Sequence, residues 1–239
     1  MLLVAAGMSA AAAVPQPKQN IQPTPNFMNA CIGQGVTSEA CLSDTVAAIN
    51  SARADEAMLR YPLHLPDNFR SLSAARQLFV VLNLERVDRG LRPIVGMVPS
   101  LNRSARVSAA IGVDPDPSTR RLRRLGVRTY RTVFAQAAGV LAADFEWLYH
   151  DGYTSGSPSD TTNVNCPYPD AAGCWAHREA ILDRFSRARR VIGGMGSANA
   201  PGSAERVTAI LAWAHGPAPR YTYTWRQALA HGADGHRRR

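Results

Sequence analysis

The hydrophobic period of this chain changes near residue 189, and that change restricts the fold more than any other feature. Upstream, apolar residues recur at three and four. Residues 71–89 (SLSAARQLFVVLNLERVDR) are the clearest helix: Leu78, Val81, Leu82 and Glu85 fall on successive turns, Gly90 stands where a helix ends left-handed, and Pro93 stops it. Further helices are predicted over 44–59 with Asp44 as cap, over 100–111 with Ser100 as cap, over 134–150, and over 175–188 with Ile181, Leu182 and Phe185 inward. Downstream, RRVIGGMGSA, ERVTAILAWA and RYTYTW are β-branched, aromatic and partly alternating, and read as three strands. Gly193, Gly194 and Gly196 would let another backbone or a ligand come close. Helices first and strands last predict an α+β layered sandwich rather than a doubly wound sheet.

The two ends do not share this pattern. Residues 1–13 (MLLVAAGMSAAAA) read as the back half of a secretory signal without its basic opening segment, which predicts a translation start further upstream. Residues 14–30 begin with VPQPKQNIQPTPNFM and read as a Pro/Gln-rich disordered arm, and residues 231–239 as a frayed basic tail. One domain is expected over 31–230. Beyond residue 13 no stretch approaches the ~18 apolar residues that a membrane span needs.

Cysteine usage agrees with export. Four cysteines permit three connectivities, and closeness in sequence favours Cys31–Cys41 and Cys166–Cys174. Neither pair has the spacing of a zinc ribbon or a redox motif. The net charge is +9, and of 27 basic residues only Lys18 is lysine. Such a balance favours anionic partners such as envelope polymers or lipid headgroups. The charge is spread along the chain, so nucleic-acid binding is not expected. Its densest run, RRLRRLGVRTYR, has two open readings: a solvated face or an anion-contacting edge.

Three segments carry a family signal: PDNFRSLSAARQLFVVLNLERVDRGLRPIVGMV (66–98), ADFEWLYHDG (143–152), and NVNCPYPDAAGCWAHREAIL (163–182) followed by VIGGMG. The N-x-x-R-x-x-x-G-L-x-P pattern of Asn83, Arg86, Gly90, Leu91 and Pro93 resembles the opening helix of the CAP superfamily. That superfamily joins cysteine-rich secretory proteins, antigen five and plant pathogenesis-related class-one proteins. His177 to Leu182 resembles its HR-x-x-IL segment, and the order of all three segments is most similar to secreted actinobacterial members. The resemblance implies an α-β-α sandwich, with helices on both sides of a small, mostly antiparallel sheet and a groove between helices and sheet.

The resemblance also implies two His and two Glu lining that groove, at times around a divalent metal. His177 matches one His. His150 falls near the place of a Glu, after Trp147. The Gly-Glu-Asn element has only Ala135 and Gln136 as its nearest equivalents, and the other His has no match. No tight metal site and no cofactor are therefore expected. Asp144, Trp147, Leu148 and Asp151 share one face if the helix runs through them, with the two acids about 10 Å apart along its axis. They read either as a glycosidase-like acid pair or as structural acids holding the 153–165 loop or pairing with Arg178. Arg178 is expected in a structural ion pair with Asp144 or Glu85. No G-x-S-x-G serine or unpaired cysteine offers a nucleophile.

The expected groove residues are His150, His177, Trp147, Asp151, Asn163 and Trp175. The loop 153–176 is expected to form one rim and helix 134–150 the opposite wall. Two functions follow: a secreted, non-enzymatic module binding an envelope glycan, lipid or protein, or an extracellular hydrolase using His177 with Asp144 or Asp151. The oligomeric state is open.

Overall fold

A computed structural model of the protein describes residues 14–56, 59, 61–154, 163–185, 189–202 and 204–233. The expected leader, residues 1–13, and residues 234–239 of the expected tail lie outside the described residues. The elements run α1 (Met28–Gln34), α2 (Glu39–Ala54), a 3-10 turn (Phe69–Ser71), α3 (Ala74–Asp88), β1 (Ile94–Met97), α4 (Pro99–Ile111), α5 (Thr119–Arg124), β2 (Val127–Ala137), α6 (Val140–Tyr149), α7 (Ala176–Leu182), β3 (Arg190–Asn199), β4 (Glu205–Ala214), β5 (Tyr223–Thr224) and α8 (Trp225–Ala230).

The architecture is α+β with helices around a small sheet. Strand order is β2-β4-β3-β1-β5, antiparallel except for the β1–β3 pair. Strand alternation divides the core in two. Val191 and Met195 of β3, with Val207, Ala209 and Leu211 of β4, join the large cluster under α2, α3, α6 and α7. Ile192, Ile210, Ala212 and Ala214 point the other way, into a second cluster with Leu101 and Ala105 of α4 and Leu122 of α5. The sheet is thus the middle layer of three.

Three expectations need correction. Segment 134–150 is not one helix: β2 continues to Ala137, Gly139 turns at φ 91°, and only then does α6 begin. Among the described residues five strands form where three were expected. β1 is only four residues long and is fixed by its partner β3. β2 has a strand signal in Val127, Thr129, Tyr130, Thr132, Val133 and Phe134, which its interleaved arginines obscure. The segment 14–30 is not a free arm: Phe27 is buried, Ile21 N–H donates to Tyr149 O at 2.8 Å, and Pro15 O accepts from Arg178 Nη2 at 2.9 Å.

Caps also differ. Ser38, not Asp44, caps α2, its hydroxyl accepting from Cys41 N–H at 3.1 Å. At α4 the N-cap is Val98, with Pro99 in the first turn, so Ser100 already lies inside the helix. RRLRRLGVRTYR splits into α5 and the start of β2, the solvent-facing arginines flanking the buried Leu122. α7 ends at Leu182, short of the expected 188, and RYTYTW supplies only the two-residue β5 before α8.

Candidate functional site

The family-like motifs turn out to be ties between elements. Asn83 clamps β1 to α3: its amide oxygen accepts from Ile94 N–H at 2.6 Å and its NH2 donates to Ile94 O at 3.2 Å. Arg86, fully buried, donates to Arg92 O at 3.0 Å and to Ile181 O and Asp183 O, satisfying the carbonyl end of α7. Gly90 adopts φ 70° just past α3, where Leu91 N–H bonds back to Arg86 O at 2.9 Å. Arg178 likewise satisfies the end of α6 through Leu148 O at 2.6 Å. Its ion-pair partner is Glu56 at 3.0 Å, not the expected Asp144 or Glu85.

These ties fix the α6–α7 junction, where Asp151 is the keystone. It lies just beyond α6 and is 2 % exposed. Its Oδ2 accepts from the backbone N–H of His177 at 2.8 Å and of Arg178 at 3.3 Å, closing the first turn of α7. Its Oδ1 meets His177 Nδ1 at 2.6 Å and Asn163 Nδ2 at 2.8 Å. Its carbonyl accepts from Trp175 N–H at 2.9 Å. This carboxylate draws the ring proton to Nδ1 and leaves Nε2 as the imidazole nitrogen not engaged by Asp151.

His177, Asp151 and Asn163 line a cavity of about 340 Å³. Phe134, Ala135 and Gln136 of β2 form its sheet side, Glu146 and Trp147 of α6 another wall, and Val164, Asn165 and Asp114 its remaining rim. Three groups in it are electrostatically unusual. Burial raises the Asp114 carboxyl above its ordinary value. Burial drives the Glu146 carboxyl up to about 8, and among the described residues it makes no ion pair. Glu146 is therefore largely a neutral acid near pH 7. Burial opposes a charge on His177, but the hydrogen bond and charge of Asp151, helped by Asp114, outweigh it and raise its pKa above the usual value.

The expected site residues therefore divide. His177, Asp151, Asn163 and Trp147 line one groove, with Trp147 almost wholly buried and its Nε1–H donating to Phe134 O at 3.1 Å. Asp144 does not belong. It is fully buried beside Glu85, Arg89 and Arg53, where burial first, and the Glu85 charge second, push its pKa well up. Since α6 ends at Tyr149, Asp144 and Asp151 share no helix face as an acid pair. Trp175 is also misplaced: it takes the left-handed conformation at φ 61°, packs on Gly152 and borders a different cavity beside the N-terminal segment. His150 lies at the end of α6 and does not line the groove.

Glu146, Asp114 and Gln136 are the groove residues not singled out for polar chemistry. Glu146 stands beside Trp147 within ADFEWLYHDG, but its exposure to the cavity depends on where β2 stops and α6 starts. Gln136 was noted only as a departure from the Gly-Glu-Asn element. It reaches the groove because β2 is a strand there, and its Oε1 accepts from Arg206 Nε at 3.1 Å. Among the described residues no group of three or more His, Cys, Asp or Glu side chains is arranged to hold a metal ion. Both local disulfides, Cys31–Cys41 and Cys166–Cys174, are present, and the second braces the loop carrying Asn163 and Asn165. No described helix is long and apolar enough to cross a membrane. The chain matches no protein-family model, and comparison with curated proteins and with solved structures returns no match.

Proposed function

We propose that this chain is an exported CAP-like binding module whose groove between β2, α6 and α7 takes a hydroxyl-rich, cell-envelope glycan. The observation that carries this reading is the mixture of donors and acceptors converging on a small cavity with partly apolar walls. A neutral Glu146 supplies both a donor and an acceptor, and the Gln136 and Asn165 amides supply more. His177 adds a nitrogen whose role follows its protonation state. Sugar hydroxyls, each able to donate and accept, match such an array. A lipid tail matches it less well, because Trp147 is packed into the core and the remaining large apolar side chains, Phe134 and Val164, stand among polar ones. The two disulfides and the absence of a membrane-spanning helix among the described residues are compatible with life outside the cell.

The hydrolase reading is favoured by one observation, the 2.6 Å contact between Asp151 and His177. That contact has the form of an acid orienting a general base. Against it, the Asp151 carboxylate also closes the first turn of α7, and among the described residues no serine, threonine or cysteine lines the cavity. Titrating the protein with soluble peptidoglycan fragments and then assaying the mixture for new reducing ends and new amino groups separates the two. Saturable binding with neither product supports the binding module. Turnover abolished by His177→Ala would establish the hydrolase instead, and absence of both binding and turnover would refute the glycan reading.

A further inference from the structure

The outer helical layer holds a second cavity, unrelated to the groove. It lies between α4 and α5, is about 590 Å³, and is lined by Ser100, Arg103, Ser118, Arg120, Arg121 and Arg124 over a floor of Leu125. That volume falls within the roughly 300–1,000 Å³ of small-molecule sites. Ser100 and Arg103 lie on the first turn of α4, whereas Asp114 of the groove follows its far end. A helix rises 1.5 Å per residue, so the two sites are separated by about 15–20 Å.

Three features distinguish this cluster from a solvated charged face. First, α5 is anchored. Leu122 is buried in the second core cluster with Leu125 packed against it, and Arg121 donates to Ser104 on α4. The walls are therefore held by packing and by a bond across the gap. Second, Arg103, Arg120, Arg121 and Arg124 line one cavity together, and among the described residues none of the four has a carboxylate within ion-pair reach. Third, Arg120 and Arg124 stand one turn apart on a six-residue helix, where like charges repel and oppose the helix. A multiply charged anion removes that repulsion.

We propose that this cavity binds a phosphoryl group carrying more than one negative charge, as in a pyrophosphate or a phosphomonoester headgroup. The guanidinium fork matches phosphate oxygens in bidentate pairs, and the Ser100 and Ser118 hydroxyls add neutral donors. A single carboxylate would leave several of the four guanidiniums unbalanced. The site stands independently of the glycan reading of the groove.

Calorimetry of the full chain with pyrophosphate, and co-sedimentation with phosphatidylcholine vesicles with and without phosphatidic acid, test the proposal. The wild type is expected to bind at least one probe. R120A/R124A, checked for fold by circular dichroism, is expected to bind about tenfold or more weakly, the equivalent of one charge-assisted hydrogen bond or more. K18A/R226A removes the same net charge elsewhere and is expected to stay within about twofold. Binding of pyrophosphate identifies a soluble phosphate as the source, and binding of phosphatidic acid vesicles alone identifies a lipid headgroup. Binding of neither probe, or equal weakening in both variants, overturns the proposal.

Discussion

Glu146 and His177 meet in one groove but are tuned by opposite means. Glu146 is shifted by burial alone, up to about 8 from 4.5. A carboxyl whose folded pKa is raised contributes stability below its unfolded pKa and loses it as pH rises through the folded value. Glu146→Gln removes that loss. The variant should therefore gain on wild type between pH 4.5 and about 8, by an amount on the order of a few kcal/mol at the upper end. Urea unfolding of both proteins across that range checks it; a constant difference would mean that Glu146 ionises as freely folded as unfolded. His177 depends on its partner. Asp151→Asn should lower the His177 pKa below its wild-type value, read from the ring proton shifts by NMR. With its pKa raised in the fold, His177 contributes stability that is complete below about 6.5 and fades as pH rises through the folded value. In Asp151→Asn that fading should largely vanish. The sequence singled out both Asp151 and His177, yet not Glu146, because its shift comes from burial in a cavity that only the β2–α6 turn creates.

At the scale of elements, the glycines of β3 decide how α4 lies on the sheet. A Cβ on Gly194 would fall on the backbone and Cβ of Leu101, and one on Gly196 on the backbone of Ala105 and Arg106. The helix therefore packs backbone to backbone on the strand, and no side chain rotation can relieve an added methyl. Gly196→Ala is expected to cost about 1–3 kcal/mol or more by the usual penalty for overpacking. Gly202→Ala gives a contrast without the clash, its cost coming from φ 73° alone. Thermal unfolding that showed Gly196→Ala unchanged would mean α4 is free to shift. Close approach was legible in the spacing of these glycines, although whether a helix or a ligand would fill it was not. The strands β1 and β2 were less legible. The stretch FAQAAG at the end of β2 is alanine-rich, and alanine favours helix in isolation, so pairing with β4 overrides the local preference. That override moved a predicted helix start, whereas the supposed Asp144–Asp151 face failed at the other end, where α6 stops at Tyr149.

Across the whole molecule, charge is sorted into a buried structural network and two exposed candidate sites. Glu85 is fully buried between Arg53 of α2 and Arg89 of α3, and Tyr149 of α6 lies 3.3 Å from its Oε2. Burial opposes its ionisation, but the two guanidiniums outweigh that and hold it below the usual glutamate value. Removing it by Glu85→Ala takes away the carboxylate that two buried guanidiniums share and leaves Arg53 with Asp88 and Arg89 with Glu56, so a loss of about 1–3 kcal/mol is expected by chemical denaturation. A loss under about 1 kcal/mol would show that water reaches the network. The arginines of the family-like segments are structural as well: Arg86 closes the carbonyl end of α7, and Arg178 ties the end of α6 to Glu56. The central claim is that His177 serves a ligand rather than the fold. Asp151 keeps its backbone and Asn163 donors when the ring is removed, so at alkaline pH, where the ring is uncharged, His177→Ala should melt near the wild type, whereas Leu82→Ala should lose about 2–5 kcal/mol. Measured together, melting temperature and affinity for soluble peptidoglycan fragments give the decision. The account predicts that His177→Ala keeps the melting temperature and loses the binding. A fall in melting temperature as large as that of Leu82→Ala, with any binding unchanged, would contradict it.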